Sequence, residues 1–271
     1  MPPAQGPCPP PPSRLRLRLR RRLCRWLPVV VFAGLPWPAL ADTVQVAVAA
    51  NLMPAMPALS AAFARDTGHT LSLSAGATGK LYAQIRSGAP FQVLLAADEE
   101  TPARLVRDGL ASAPSRFTYA IGRLVLWSAR PGVVDAEGEV LRSGSFRHIA
   151  IAAPKIAPYG AAAIEALTRL DLLGRVQSRF VQAESIGQAY AFVASGNAEL
   201  GFVALSQVAG RDSAAGGSMW RVPAHLHRPL RQDAVLLRPG AAGPAAAALL
   251  QWLRGERAGA ILRQHGYETP P

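Results

Sequence analysis

The chain has 271 residues, of which 50% are hydrophobic and 17% are charged, a balance typical of a folded globular protein and not of a disordered one. Its formal net charge of +12 is concentrated at one end, because residues 1–41 contain seven arginines and no acidic residue. Of the 29 basic residues, 22 remain beyond residue 41 against 17 acidic ones, and a net charge of +5 gives no case for nucleic-acid binding.

Residues 1–41 have the order of features typical of a secretory signal peptide. Arginines up to Arg25 precede an apolar run over 26–35, and Ala39-Leu40-Ala41 supplies the small residues of a cleavage site. The apolar run is about ten residues long, whereas a membrane-spanning helix needs roughly 20. We therefore expect cleavage near Ala41–Asp42 and export to the periplasm. The alternatives are a membrane anchor and a basic surface arm.

Both cysteines of the chain, Cys8 and Cys24, lie within this segment. The exported protein is therefore expected to have no disulfide, no thiol nucleophile and no cysteine metal site. Cys24 lacks the small residues that precede a lipoprotein cysteine, so we expect a protein without a lipid anchor.

Beyond residue 41, short apolar runs alternate with amphipathic stretches. The predicted strands are 44–50, 70–74, 91–96, 123–127, 148–152, 180–181, 200–204 and 234–237. The predicted helices are 51–63, 80–86, 99–108, 158–170, 186–194 and 244–264, and a Gly/Ala-rich surface loop is predicted at 213–218. This alternation indicates βαβ units with helices on both faces of mostly parallel sheets. Two such sets predict two small α/β lobes, with ligands bound where strands end and helices begin.

The sequence contains no complete enzyme signature. The segment 76–81 resembles a phosphate-binding loop, but it lacks the four-residue spacer and has Leu81 where a hydroxyl would hold magnesium. There is no G-x-S-x-G elbow and no H-E-x-x-H helix. His225 and His227 are two residues apart without evident further ligands, and solvated loop histidines are the simpler interpretation. We expect no catalytic residue, no cofactor and no side chain that coordinates a metal directly.

Four turns remain in which a strand end opens a helix: Asn51, 76–79 with Thr78, 158–160, and 185–186. A helix start leaves N–H groups unpaired and carries about half a positive charge, so several such ends together form an anion site without lysine or arginine. The Thr78 hydroxyl and the Asn51 amide can add donors. The alternative is ordinary helix capping, which spacing alone favours.

These residues resemble one known family, the periplasmic molybdate-binding proteins of ABC transporters. The resemblance extends from about residue 43 to residue 267. It is carried by VAANL at 48–52, GATGKLYAQI at 76–85, GAPFQV at 88–93, AD at 97–98 and GFVALSQ at 201–207.

The resemblance implies a tetrahedral dianion held by neutral donors in a cleft. The implied contacts are Asn51, where many members have serine, Thr78, where serine is usual, and the backbone at Tyr159 and Ile186. Some members add a tyrosine hydroxyl where this chain has Ala204, so that donor is missing. Capture of molybdate, with tungstate alongside it, is the implied function, and sulfate or thiosulfate is the alternative ligand.

The implied fold is that of two-lobed periplasmic binding proteins: α/β, each lobe a mixed, mostly parallel sheet flanked by helices, with the ligand cleft between the lobes and closure about a hinge. We expect lobe 1 to comprise 42–121 and 232–271, and lobe 2 to comprise 122–231.

The expected partner is the membrane permease of an ABC importer, and the protein is expected to be a monomer. Lys80 is expected to be a solvated surface charge. An exported hydrolase and the effector domain of a transcription regulator are the other classes considered.

Overall fold

The computed structural model describes residues 41–209 and 217–270. The predicted signal peptide lies outside these ranges except for its last residue, and so does most of the loop predicted at 213–218. No helix in the described part of the chain is both long and apolar enough to cross a membrane.

The described residues form strands and helices that alternate along the chain. The strands are β1 (Thr43–Ala49), β2 (Thr70–Gly76), β3 (Val93–Leu95), β4 (Phe117–Gly122), β5 (Leu124–Ser128), β6 (Ile149–Ala152), β7 (Phe180–Ala183), β8 (Leu200–Ala204), β9 (Ser218–Arg221) and β10 (Leu230–Leu236). The helices are α1 (Met56–Thr67), α2 (Thr78–Arg86), α3 (Glu100–Arg107), α4 (Val140–Ser143), α5 (Pro158–Arg169), α6 (Leu173–Val176), α7 (Ile186–Ala194), α8 (Leu205–Val208), α9 (Pro244–Leu253) and α10 (Glu256–Gln264). A 3-10 turn, Ala50–Leu52, follows β1.

The strands form two five-stranded sheets of the same design. The first has the order β2-β1-β3-β10-β4, in which β1 is parallel to β2 and β3, and β10 is antiparallel to β3 and β4. The second has the order β7-β6-β8-β5-β9, in which β6 is parallel to β7 and β8, and β5 is antiparallel to β8 and β9. In each sheet a single strand therefore runs against the other four. The predicted mixed, mostly parallel sheets are confirmed.

We call the first sheet with its helices the first lobe and the second sheet with its helices the second lobe. The chain passes from the first sheet to the second between β4 and β5 and returns through the segment before β10. After β10, the helices α9 and α10 contribute to the core of the first lobe.

The apolar run of β1 reflects burial on both faces of its sheet. Val46 and Val48 pack with Phe63 of α1 on one face, whereas Ala47 packs with Leu81 of α2 on the other. Successive side chains of a strand point to opposite faces, so a central strand covered on both sides is apolar at nearly every position.

Two of the four edge strands escaped prediction. β4 pairs only with β10, and β9 pairs only with β5. An edge strand is covered less, so polar residues interrupt its apolar pattern, as in the sequences FTYAIG and SMWR. The helix predicted over 244–264 is in fact two helices, since the chain is extended at Gly255 (φ −79°, ψ 158°).

Candidate functional site

The four predicted contact residues all lie where a strand gives way to a helix. Asn51 is in the 3-10 turn after β1, and Thr78 is the first residue of α2. Tyr159 is the second residue of α5, and Ile186 is the first residue of α7. All four are buried, with 5% exposure or less. Helix starts beyond the ends of parallel strands are where α/β proteins bind their ligands.

A series of contacts between the lobes links these positions. The Gly79 N–H, next to Thr78, donates to the carbonyl of Ile156 at 2.9 Å, just before α5. The Tyr159 hydroxyl at the start of α5 accepts from Gln232 Nε2 at 3.0 Å, and Gln232 Oε1 accepts from Asn51 Nδ2 at 2.9 Å. Asn51 and Tyr159 are therefore joined through Gln232, in the strand by which the chain returns to the first lobe, and Thr78 lies beside the Gly79–Ile156 contact.

The fourth position, Ile186, is joined to Asn51 through α8. Ser206 Oγ donates to the Asn51 carbonyl at 2.8 Å. Gln207, the next residue, donates from Nε2 to the Ile186 carbonyl at 3.1 Å and accepts the Ala204 N–H at 3.0 Å. The structure thus brings all four predicted residues together at the boundary between the lobes.

Backbone donors are free at this boundary. Throughout 41–209 and 217–270, no protein acceptor is found for the N–H groups of Thr78, Tyr159 and Ile186. Each of these N–H groups belongs to the first turn of a helix, where no partner exists within the helix and the dipole is positive. Gly160 lets α5 start this close to β6, because a Cβ there would lie 2.0 Å from the Ala152 carbonyl oxygen.

Ordinary capping does not account for Thr78 or Asn51, since neither side chain caps its own helix. Thr78 Oγ1 instead accepts the N–H of Ala97 at 3.1 Å, which leaves the hydroxyl proton for another acceptor. Ser185 is different: its Oγ accepts from the Gln188 N–H at 3.3 Å and caps α7.

The Asn51 side chain differs from expectation. Its Nδ2 donates to Gln232 and to the Tyr267 hydroxyl, both at 2.9 Å, so neither N–H is left for a ligand in this orientation. Its Oδ1 is buried and has no hydrogen-bond partner among the described residues. The sequence pointed to Asn51 but not to Gln232 or Tyr267, whose contacts with it span 181 and 216 residues of chain.

Three buried phenols at the boundary are neutral. Burial raises the pKa values of Tyr119, Tyr159 and Tyr267 well above the ordinary range, so these phenols stay protonated. Lys80 forms an ion pair with Glu184 of the second lobe, and about half of each side chain is exposed. Its charge is therefore matched by a carboxylate across the boundary.

A cavity of about 580 Å³ lies beside the four residues and is lined by both lobes. Its walls include Gly79, Ala97, Ile156 and Pro158, neighbours of the predicted contacts, but none of the four themselves. We place the candidate site at the four residues, because the free N–H groups are there. Within the described ranges, no group of three or more His, Cys, Asp or Glu residues is arranged to hold a metal ion.

Two α/β lobes that share a neutral, donor-lined boundary define the class of two-lobed solute-binding proteins. Residues 44–268 match the family of bacterial extracellular solute-binding proteins, and the chain belongs to that family. Membership places it among extracellular binding components of transport and not among enzymes.

Close relatives carry a more specific description. The molybdate-binding protein ModA of Azotobacter vinelandii is 52% identical over 229 residues, which are 84% of this chain and 91% of the relative. The protein of the same name from Rhodobacter capsulatus is 48% identical over 236 residues, 87% of this chain and 92% of the relative.

Solved structures agree on the fold. The periplasmic molybdate-binding protein of Azotobacter vinelandii superposes with a TM-score of 0.81 at 45% identity, covering 84% of this chain and all of that one. The sulfate-binding protein of Mycobacterium tuberculosis gives a TM-score of 0.69 at 14% identity over 84% of this chain and 87% of that one, a likeness of fold alone.

Proposed function

We propose that the chain captures molybdate, and tungstate with it, between its two lobes and delivers the oxyanion to the membrane permease of an ABC importer. The observation that carries the proposal is the set of unpaired N–H groups on Thr78, Tyr159 and Ile186 at one lobe boundary. The molybdate-binding relatives at 48% and 52% identity support the choice of ligand.

The proposed contacts are the N–H groups of Thr78, Tyr159 and Ile186, the Thr78 hydroxyl and Asn51. A dianion that leaves water must regain its lost hydration, and fixed N–H dipoles at helix starts supply it. Each charge-assisted hydrogen bond is roughly twice as strong as a neutral one. With no lysine or arginine among the contacts, binding should depend little on salt.

Closure of the lobes follows from the distribution of the donors. Thr78 and Asn51 belong to the first lobe, while Tyr159 and Ile186 belong to the second. A ligand that needs both sets favours the closed state through its differential affinity. The closed protein is the form that we propose the permease recognises.

We also propose the boundaries of the parts: a signal peptide over 1–41 with export to the periplasm, lobe 1 over 42–121 and 232–271, and lobe 2 over 122–231. The division of strands between the two sheets supports the two lobes to within two residues at each crossover, since β4 ends at Gly122 and β10 begins at Leu230. We propose that the exported protein acts as a monomer. N-terminal sequencing of protein recovered from the periplasm should begin near Asp42, and light scattering should give the mass of one chain.

The ligand is tested by a thermal-denaturation series with molybdate, tungstate, sulfate and phosphate. A ligand at 100 times its dissociation constant adds about 2.7 kcal/mol of stability, so molybdate and tungstate should each raise the melting temperature by several degrees. If neither metal oxyanion raises it, the assignment is wrong. A shift with sulfate alone would make the chain a binding protein for a smaller oxyanion.

A further inference from the structure

Two buried amides face each other at the lobe boundary. Asn51 and Gln232 both have 0% exposure, and Asn51 Nδ2 donates to Gln232 Oε1 at 2.9 Å. The register of β10 against β4 shifts between Gln232 and Asp233, and both of these consecutive residues are buried. The extra residue of this bulge is Tyr119 of β4, which lies between the partners of Gln232 and Asp233, and its hydroxyl approaches Gln232 Oε1 to 3.1 Å.

In this arrangement the hydrogen bonds are imperfectly matched. Asn51 Oδ1 has no partner. Tyr119 has one hydroxyl proton but two acceptors within reach, the Ala96 carbonyl at 3.0 Å and Gln232 Oε1 at 3.1 Å. Tyr159 accepts from Gln232 Nε2, while its own proton has no acceptor among the described residues. Buried polar groups are normally paired, so the mismatch requires an explanation.

Turning both amides by 180° about their last bonds resolves the mismatch. The amide oxygen and nitrogen have nearly the same shape, so the turn costs no space. Gln232 Nε2 then donates to Asn51 Oδ1 and to the Tyr119 hydroxyl, whose proton goes to Ala96. The Tyr267 hydroxyl, which accepted from Asn51 Nδ2, donates to Asn51 Oδ1 instead, while Ser206 Oγ keeps its bond to the Asn51 carbonyl. Gln232 Oε1 accepts the Tyr159 proton. The atom of Asn51 left without a partner is then Nδ2, a hydrogen-bond donor, and it occupies the position that the acceptor Oδ1 held before the turn.

We infer that Gln232 is a positioning residue that sets the orientation of the Asn51 amide and thereby decides whether the site offers the ligand a carbonyl or an N–H. An amide at position 232 can both accept from Asn51 and donate to it, and it can do so without a change of shape. In the presence of a fully deprotonated oxyanion the pair turns so that Asn51 Nδ2 faces the ligand. The inference rests on the proposed function and names the residue that completes its donor set.

Two substitutions separate orientation from packing. Gln232→Glu keeps the shape and the acceptor oxygens that Asn51 and Tyr119 contact, but at a pH above its burial-raised pKa the side chain is a carboxylate and cannot donate to Asn51. It therefore holds the Asn51 oxygen toward the ligand, and we expect molybdate and tungstate affinity to fall about 100-fold. Gln232→Met is close in size and leaves Asn51 free to turn, so we expect a loss of only about tenfold. A purely structural role predicts the opposite order.

The added charge of glutamate is controlled by a double-mutant cycle with Asn51→Ala, measured by calorimetric titration on proteins shown to be folded by circular dichroism. The loss that Gln232→Glu still causes once Asn51 is alanine measures the repulsion between its charge and the oxyanion, and orientation predicts a loss about tenfold larger when Asn51 is present. An equal loss in both backgrounds, or a Gln232→Glu protein that binds as tightly as the original, would overturn the inference. If the unsubstituted protein binds neither oxyanion, the proposed function fails instead.

Discussion

The backbone N–H of Gly79 in the first lobe donates to the carbonyl of Ile156 in the second at 2.9 Å. This contact lies directly beside Thr78, and it closes one side of the candidate site. Its closeness depends on glycine, because a Cβ at position 79 would lie 2.9 Å from the Cβ of Ile156.

Gly79→Ala should therefore weaken oxyanion binding by keeping the lobes apart. Overpacking of this kind costs about 1–3 kcal/mol, so we expect a loss of roughly 5- to 150-fold in affinity, measured by calorimetric titration. Gly174→Ala is the matched control, since it is also in a helix and a Cβ there meets nothing within 4 Å. Equal affinities for the two variants would show that closure at Gly79 is not needed for binding.

Thr78 offers a second test, based on its hydroxyl. Thr78→Val keeps the shape but removes both the acceptor for the Ala97 N–H and the proton proposed for the ligand. We expect oxyanion affinity to fall by about 1–3 kcal/mol, whereas Thr78→Ser, which keeps the hydroxyl, should stay within about 1 kcal/mol. Titration of both variants checks this. A valine variant that binds like the serine variant would remove the hydroxyl from the site.

Lys80 forms an ion pair with Glu184 across the lobe boundary. Its ammonium could either stabilise closure of the lobes through this pair or contact the oxyanion directly, and substitutions distinguish the two roles. Since both side chains are about half exposed, the pair contributes at most about 1 kcal/mol to closure. Lys80→Gln and Glu184→Gln should therefore weaken oxyanion binding by the same small factor, less than about fivefold, and less at high salt. A much larger loss for Lys80→Gln alone, seen in a salt series of titrations, would show that the ammonium contacts the oxyanion.

The carboxyl group of Glu199 makes the folding stability of the protein depend on pH in the acid range. Burial raises its pKa, but hydrogen bonds from the His148 N–H at 2.9 Å and Arg147 Nε at 3.0 Å outweigh burial and lower the pKa to about 2. Because the folded pKa lies below the unfolded one, the stabilisation is complete above about pH 5 and is lost as the pH falls toward 2.

Glu199→Gln should accordingly destabilise the protein by about 1 kcal/mol at pH 7, and the difference from the original protein should shrink steadily below pH 5. Urea unfolding at pH 7, 4 and 3 measures this. A difference that stays constant with pH would assign the loss to packing and not to the charge of the carboxylate.

The four candidate contact residues could be predicted from the sequence because each lies in a pattern formed by residues close together in the chain. A strand end followed by a helix start can be recognised within about ten residues, and the boundaries of α5 and α7 agree closely with prediction. The residues that surround Asn51 have no such local feature. Gln232 lies in the polar first half of β10, which was predicted to begin only at residue 234.

By itself, the sequence determined most of the strands and helices, the helix starts at which N–H groups are unpaired, and the family that the chain resembles. The tertiary structure alone decided that Asn51, Gln232, Tyr159 and Tyr267 meet in one hydrogen-bonded group, and that Thr78 bonds to Ala97 and does not cap a helix. The physical reason is the range of the interactions. Helix geometry and apolar periodicity are set by near neighbours in the chain, whereas a buried amide takes its partners from whichever strands and loops the fold places beside it.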